Sequence, residues 1–184
     1  MCCIPACSGR PRGAYALATM KAAVITISTA AARGEREDVS GERLAALAAA
    51  AGAEVVAREV IPDDPAQIEG LLRRHSAPEA DIALIFTTGG TGLTPDDVTP
   101  EATRAVIERD APGFAEAMRA ESLKHTPMGM LSRGVCGIAG RTLIINFPGS
   151  PKSIEQLFGV ISPVLGHVAA TLRREPGAHV SHGH

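Results

Sequence analysis

The chain has 184 residues, 45% of them hydrophobic but only 3% aromatic, and this length fits one domain whose core is built from aliphatic side chains. Its net charge is -2 with acids and bases interspersed, so nothing in it indicates a surface for nucleic acid. No apolar run approaches the roughly 18 residues of a membrane span, and we expect a cytoplasmic protein with no membrane partner.

The two ends of the chain differ in character from its middle. Residues 1–19 hold three of the four cysteines among Pro, Gly and Arg, in a spacing that matches no standard zinc site. We predict a disordered extension there, one domain over 20–174 and a loose tail over 175–184. Met20 begins a strand-like run and is a candidate start of translation, so a chain beginning at Met20 should keep its fold and activity.

Strand-like and helix-like patterns alternate along the first half of the domain. An unbroken apolar run indicates a buried strand, and apolar residues three or four apart indicate a helix. In order, these patterns predict a strand over 22–28, a polar loop over 29–39, a helix capped by Ser40, a strand over 53–60, a turn over 62–65 and a helix carrying Ile68, Leu71 and Leu72.

The second half continues the alternation. It predicts a strand over 81–88, a long loop over 89–98, a helix capped by Thr99, a helix over 114–123, a hairpin within 135–145, a strand over 142–147 and a final helix from 151 to about 173. Strands that are apolar on both faces indicate an α/β fold, with a mainly parallel sheet covered by helices on both sides. The hairpin would add an antiparallel edge.

In such sheets ligands bind at the carboxyl ends of the strands, where the first informative loop holds Gly89, Gly90, Thr91 and Gly92. Glycines let backbone N–H groups approach an anion, although they also serve tight turns that need positive φ. This loop runs on to Val98, beyond the roughly two to six residues that a strand–helix connection needs, and the extra length favours a ligand. We expect Gly90→Val to block the ligand and to leave the fold intact.

A second loop leads into the last predicted helix through Pro148, Gly149, Ser150 and Lys152. A helix N-terminus presents free N–H groups to an anion, and Lys152 adds a full positive charge. Ordinary capping by Ser150 is the alternative. We expect Ser150 and Lys152 to bind an anionic group, and Lys152 is the only clear cation near these strand ends.

Acidic side chains lie in the same loops. Asp64 is placed to cap the helix after the second strand, whereas Asp63 is a spare carboxylate, and Asp96 and Asp97 follow the glycines. Carboxylates bind Mg²⁺, and Mg²⁺ neutralises phosphate. Two anion-binding loops with nearby acids therefore indicate a phosphate-rich substrate with Mg²⁺.

The segment over 89–103, Gly-Gly-Thr-Gly-Leu-Thr-Pro-Asp-Asp-Val-Thr-Pro-Glu-Ala-Thr, closely resembles the signature of the molybdopterin-binding family. This family includes bacterial MogA- and MoaB-like proteins and the matching domains of plant and animal molybdenum-cofactor proteins. Shorter matches occur at 38–41, before this segment, and at 112–114, 131–133 and 148–152 after it, in the family's order. The resemblance covers about 21–172, and the length of the signature argues against a generic nucleotide-binding protein.

The resemblance implies a three-layer α/β fold and adenylyl transfer, in which ATP, Mg²⁺ and molybdopterin give adenylyl-molybdopterin and pyrophosphate. Asp63 and Asp97 match the two acids on which the family relies, so they are the expected catalytic residues and metal ligands. The expected substrate-binding residues belong to the matching loops and strand end: Ser28, Gly89, Gly90, Thr91, Gly92, Pro148, Gly149, Ser150 and Lys152. The family also implies a homotrimer, or a hexamer made of trimers, with other molybdenum-cofactor proteins as partners.

One position departs from the family pattern. Where the family commonly has Ser-Asp at the end of the first strand, this chain has Ser28 followed by Thr29. The missing carboxylate would weaken substrate contacts or metal binding, unless Asp38 in the same loop takes its place or Thr29 is neutral. The departure keeps an alternative open, a homologue that binds molybdopterin or serves as a scaffold without catalysing transfer.

Overall fold

Six strands form one sheet in which four neighbouring strands are parallel and two short strands add antiparallel pairs. The computed structural model describes residues 20–174, and the predictions for 1–19 and 175–184 lie outside these residues. The strands are β1 (Met20–Ile27), β2 (Ala53–Ile61), β3 (Leu84–Thr88), β4 (Arg109–Asp110), β5 (Cys136–Ala139) and β6 (Thr142–Phe147). Their order across the sheet is β2-β1-β3-β6-β5-β4.

Helices cover both faces of the sheet. They are α1 (Thr29–Ala32), α2 (Val39–Ala50), α3 (Pro65–Ser76), α4 (Thr99–Arg104), α5 (Pro112–His125) and α6 (Pro151–Leu172), with short 3₁₀ turns at Pro78–Ala80 and Pro127–Leu131. The helices α2, α5 and α6 pack on one face, and α3 and α4 pack on the other, which confirms the three-layer α/β fold. Within the described residues no helix is long and apolar enough to cross a membrane.

Two apolar clusters hold the layers together, because the central strands are buried on both faces. Along β1, Val24 faces the layer of α2, α5 and α6, whereas Ile25 faces the layer of α3 and α4, as alternation along a strand requires. Phe86, Phe147 and Phe158 form ring contacts in the larger cluster, with centroids 5.7 to 6.1 Å apart. The rest of the core is mostly aliphatic, as the composition requires.

The start of the domain differs from its prediction in two places. The predicted loop over 29–39 begins with the short helix α1, which Ser28 caps. Asp38, and not Ser40, caps α2, because the Asp38 carboxylate accepts a hydrogen bond from the Gly41 N–H at 2.8 Å. Because Ser40 is itself a favourable capping residue, the predicted start of this helix lies two residues too late.

Later boundaries shift for similar local reasons. The third strand begins at Leu84 instead of 81, because Asp81 has a left-handed φ of 50° and ends a 3₁₀ turn. Thr99 is the first residue of α4 rather than its cap, which is Val98. The predicted hairpin forms as β5 and β6, but the edge of the sheet is β4, one strand further out.

The carboxyl ends of the four parallel strands meet at one edge of the sheet. In the strand register Ile27 lies beside Ile61, and Thr88 lies beside both Thr26 and Phe147. The loops that follow these strand ends therefore start side by side, as the sequence analysis expected.

Candidate functional site

The glycine loop after β3 folds back against the end of β1. Gly89 has φ of 100°, and a Cβ there would lie 2.2 Å from the carbonyl oxygen of Ile27. Gly90 has φ of 61°, and a Cβ there would lie 2.4 Å from the hydroxyl of the buried Thr99. Both positions need glycine for backbone geometry alone. Gly90→Val would therefore strain the backbone as well as block the ligand, which the sequence-based expectation of an intact fold did not include.

The glycine loop and the loop that leads into α6 lie against each other. Thr88 Oγ1 donates a hydrogen bond to the Pro148 carbonyl at 2.9 Å, and a Cβ on Gly149 would lie 3.6 Å from Gly89 Cα. Ser40 Oγ donates to the Gly149 carbonyl at 2.6 Å. Ser40, predicted as a helix cap, thus holds the second loop in place.

The start of α6 carries the expected cap and an exposed cation. Ser150 Oγ accepts a hydrogen bond from the Ser153 N–H at 3.5 Å, so the capping interpretation of Ser150 is correct. Lys152 is exposed and makes no ion pair with any described residue. Anion binding by this helix start stays a prediction.

Asp63 follows β2 and faces the start of α1. Its Oδ2 atom accepts hydrogen bonds from the Thr29 N–H at 2.8 Å and from the Thr29 hydroxyl at 2.7 Å. Its Oδ1 atom lies 3.4 Å from the position that a Cβ on Gly90 would take. One oxygen is therefore fixed by the protein, and the other lies beside the glycine loop. As predicted, Asp64 caps α3 by accepting from the Gln67 N–H at 2.8 Å.

Asp97 contacts the same loop two residues further along. Its Oδ2 atom accepts hydrogen bonds from the Thr94 N–H at 2.9 Å and from the Thr94 hydroxyl at 2.6 Å, and it lies 2.9 Å from where a Cβ on Gly92 would be. Burial opposes ionisation, but these bonds, the Gly92 N–H and the charge of Arg133 outweigh it and hold the pKa of Asp97 below its usual value. The Asp97 carboxylate is therefore ionised at neutral pH.

Arg133 fastens the glycine loop to the rest of the domain, a role that the sequence analysis did not assign. Its guanidinium donates to the Gly92 carbonyl at 2.6 Å and to the Asp97 carbonyl, and it pairs with the Glu101 carboxylate. Its backbone N–H donates to the Thr91 carbonyl at 2.9 Å. A planar guanidinium with five donors suits contacts to several oxygens at once. The family match at this position was a signal, but it did not say what the side chain contacts.

A cavity of about 250 Å³ opens between these loops. It is lined by residues from the strand ends and from the connection between α1 and α2: Thr26, Ile27, Ser28, Ala31, Arg36, Glu37, Asp38, Ser40, Asp63, Thr88, Gly89, Gly90 and Gly149. Five of the predicted site residues thus meet there. The other predicted site residues do not line it: Thr91, Gly92, Asp97, Pro148, Ser150 and Lys152.

Two polar features of this cavity were not predicted from the sequence. Arg36 is exposed and lines it, so Lys152 is not the only cation near the strand ends. The Thr26 hydroxyl is buried without a hydrogen-bond partner in the described chain, and such a group calls for a water or a ligand. Asp38, considered as a substitute for the family acid, does line the cavity, but its carboxylate caps α2 and lies 3.7 Å from the Arg58 guanidinium.

A larger cavity, of about 890 Å³, lies at the opposite end of the sheet. Two of its arginines have partners there, since Arg73 donates to the Ala105 carbonyl and Arg173 pairs with Asp81. Ligands of open α/β sheets bind at the carboxyl ends of the strands, where the smaller cavity lies. The smaller cavity is therefore the candidate site.

The acids of the site suit a metal that is shared with a phosphate ligand. Among residues 20–174 no three His, Cys, Asp or Glu side chains converge as a metal-binding group. Asp63 and Asp97 each keep Oδ1 outside the threonine hydrogen bonds that fix Oδ2. Asp63 lines the cavity, and Asp97 lies outside its lining but against Gly92 of the same glycine loop. Mg²⁺ usually takes one or two carboxylates together with phosphates and waters, so each acid fits Mg²⁺ that arrives with a phosphate ligand.

Comparisons with known proteins agree on one family. The sequence profile described as "Probable molybdopterin binding domain" matches residues 23–167. Cinnamon, a molybdenum cofactor synthesis protein of Drosophila melanogaster, is 42% identical over 145 residues, 78% of this chain but only 24% of that protein. The molybdopterin adenylyltransferase of Helicobacter pylori is 36% identical over 157 residues, 80% of this chain and 84% of that enzyme. The crystal structure of the molybdopterin biosynthesis enzyme MoaB from Thermus thermophilus matches with a TM-score of 0.79 and 43% identity, covering 86% of this chain and 99% of that one.

Proposed function

Because the chain belongs to the molybdopterin-binding-domain family that includes the MogA- and MoaB-like proteins of molybdenum-cofactor biosynthesis, we propose that it is a molybdopterin adenylyltransferase. It transfers AMP from ATP to molybdopterin and gives adenylyl-molybdopterin and pyrophosphate. An oxygen of the molybdopterin phosphate attacks the α-phosphorus of ATP. The bond from that phosphorus to the bridging oxygen breaks, and pyrophosphate leaves with the electron pair.

One observation carries this proposal, the placement of two fixed carboxylates against a single glycine loop at the strand ends. Asp63 and Asp97 each have one oxygen held by the N–H and hydroxyl of a threonine, at distances of 2.6 to 2.9 Å. Such fixed groups lose little entropy when a reacting phosphate binds, so positioning and charge neutralisation can supply most of the catalysis.

The residues divide into two roles. We assign Asp63 and Asp97 to hold Mg²⁺, which when bound neutralises the negative charge of the approaching phosphates. We assign substrate contacts to the strand end at Ser28, to the glycine loop 89–92 and to the loop 148–152. Backbone N–H groups in such loops donate hydrogen bonds to phosphate oxygens, and they carry no negative charge that would repel the phosphate.

Lys152→Ala should weaken the binding of ATP or molybdopterin roughly two- to fivefold at low salt, the scale of one exposed charge contact. High salt should reduce the difference, because ions screen an exposed charge. Isothermal titration at two ionic strengths measures both effects. Lys124→Ala on α5 is the matched control, since Lys124 is also exposed and pairs with Glu121 away from the site. Unchanged affinity of Lys152→Ala at low salt would make Lys152 a plain surface residue.

Gly149→Val tests the cavity without straining the backbone. Gly149 has no left-handed φ, and a Cβ there makes an ordinary 3.6 Å contact, unlike one on Gly90. We expect Gly149→Val to unfold near the wild-type temperature but to bind substrate roughly tenfold more weakly, because forcing a side chain into occupied space costs about 1–3 kcal/mol. Normal affinity in a folded Gly149→Val protein would place the substrate elsewhere.

The second candidate function is a non-catalytic molybdopterin-binding or scaffold protein, and the observation that favours it is Thr29 in place of the family acid. The two functions differ in one assay, in which the protein receives molybdopterin, ATP and Mg²⁺. Formation of adenylylated molybdopterin and pyrophosphate supports the enzyme. Tight molybdopterin binding without either product supports the scaffold.

We extend the proposal to the assembly and its location, a homotrimer or a hexamer of trimers in the cytoplasm that meets other molybdenum-cofactor proteins. An apolar groove between α5 and α6 supports self-association, with Phe114, Val160 and Val164 among its lining residues. Exposed apolar surface of this kind often marks an interface. Sedimentation at a mass three or six times that of the chain is the expected result, and a monomer at micromolar concentration would contradict it.

A further inference from the structure

Thr29 and Asp63, which are 34 residues apart in sequence, donate hydrogen bonds to each other. The Thr29 N–H and hydroxyl both donate to Asp63 Oδ2, at 2.8 and 2.7 Å. In return the Asp63 N–H donates to Thr29 Oγ1 at 3.1 Å. A hydroxyl can donate once and accept at the same time, so all three bonds are compatible.

The pair closes a contact between two loops of the site. Thr29 begins α1 two residues after the end of β1, and Asp63 lies two residues after the end of β2. The pair therefore fixes the carboxylate relative to both strands and to the glycine loop beside Oδ1. An aspartate at position 29 would present no hydroxyl proton to Asp63 Oδ2, and it would add a negative charge next to it.

We propose that Thr29 is a positioning residue, which holds the Asp63 carboxylate so that Oδ1 is presented to the reacting phosphates. This inference rests on the proposed adenylyl transfer. Thr29 then replaces a lost family carboxylate with a donor that orients the remaining one. A positioning role makes the departure from the family pattern compatible with adenylyl transfer.

The kinetic test compares Thr29→Val with Thr29→Ser. Valine keeps the backbone N–H and the shape of threonine but lacks the hydroxyl, whereas serine keeps the hydroxyl. We expect Thr29→Val to lower kcat for AMP transfer roughly tenfold or more, since small errors in placement have large effects on rate, with KM for ATP nearly unchanged. Serine should restore most of kcat. Thr171→Val on the exposed side of α6 is the matched control for the substitution itself.

A double substitution shows whether Thr29 acts through Asp63. In single-turnover reactions, Thr29→Val should cause no further loss when Asp63 is already asparagine, because residues that act as a unit are not additive. The same fractional loss in both backgrounds would overturn the proposal. So would wild-type kcat in Thr29→Val.

Crystal structures of the ligand-free variants give a readout that needs no activity. In Thr29→Val we expect the Asp63 carboxylate to rotate about the one bond that the backbone N–H of residue 29 still donates to Oδ2, and in Thr29→Ser we expect the 2.7 Å bond to persist. An unmoved Asp63 in Thr29→Val overturns the positioning role. If the wild-type protein forms no adenylylated product, the proposed function fails by itself, and these structures still decide whether Thr29 orients Asp63.

Discussion

Asp97→Asn should nearly abolish adenylyl transfer, with a loss in kcat of roughly 100- to 1,000-fold, the scale found when one electrostatic contact to a transition state is removed. The substitution removes the charge but keeps an oxygen that accepts the Thr94 N–H and hydroxyl, so the loop conformation should persist. Because the pKa of Asp97 is lowered, the wild-type charge is present throughout the neutral pH range. Molybdopterin should still bind, since the glycine loop does not require that charge.

Asp96→Asn is the matched control for this experiment. Asp96 is the preceding residue in the same loop, it is exposed, and it makes no hydrogen bond or ion pair with the described residues. Single-turnover rates of the two variants, measured beside thermal unfolding curves, separate the role of charge from that of folding. Equal rates for Asp97→Asn and Asp96→Asn would remove Asp97 from the chemistry.

Asp63→Asn should lower the rate less severely, by roughly 10- to 100-fold, because the amide oxygen can still accept from Thr29 while Oδ1 is replaced by an uncharged group. The Mg²⁺ concentration for half-maximal activity should rise, since one carboxylate ligand is lost. Rates measured across a range of Mg²⁺ concentrations give both quantities.

Asp64→Asn, at the adjacent residue, is the matched control for Asp63→Asn. Asp64 caps α3 through the Gln67 N–H, and asparagine caps a helix about as well as aspartate. Its rate and Mg²⁺ requirement should therefore match those of the wild type. If Asp63→Asn also matches the wild type, Asp63 is a structural partner of Thr29 and nothing more.

The layers of the fold could be predicted from the sequence because buried parallel strands leave unbroken apolar runs. The apolar runs that end at Thr88 and at Phe147 mark the two neighbouring strands that lead into the site loops. Helix starts were less certain, because several residues near each start can cap. Asp38 and Ser40 both have suitable side chains, and tertiary contact with Gly149 decides which one caps α2.

The candidate site was predictable where a residue's role follows from its place at a strand end. Gly89, Gly90 and Asp63 belong to this group, because the parallel strands end in one row. The partners of these residues were not predictable. Thr29 meets Asp63 across 34 residues, and Arg133 meets Gly92 across 41, and no local pattern encodes a contact over such distances.

The requirement for glycine at position 90 illustrates the same limit. The sequence indicates a turn or an anion-binding loop, and a glycine at position 90 is compatible with both interpretations. Only the fold reveals that Thr99, nine residues later, occupies the space beside Gly90. A substitution at position 90 therefore changes backbone strain and ligand access together, whereas Gly149→Val changes ligand access without straining the backbone.

We propose that AMP transfer occurs at the strand ends with Mg²⁺ held by Asp63 and Asp97. The decisive measurement is a Mg²⁺ titration of single-turnover adenylylation, with molybdopterin and ATP, in the wild-type protein, Asp63→Asn and Asp97→Asn. We predict adenylyl-molybdopterin from the wild type, almost none from Asp97→Asn, and a raised Mg²⁺ requirement in Asp63→Asn. Near-normal turnover with an unchanged Mg²⁺ requirement in both variants, or molybdopterin binding without product in the wild type, would contradict the claim.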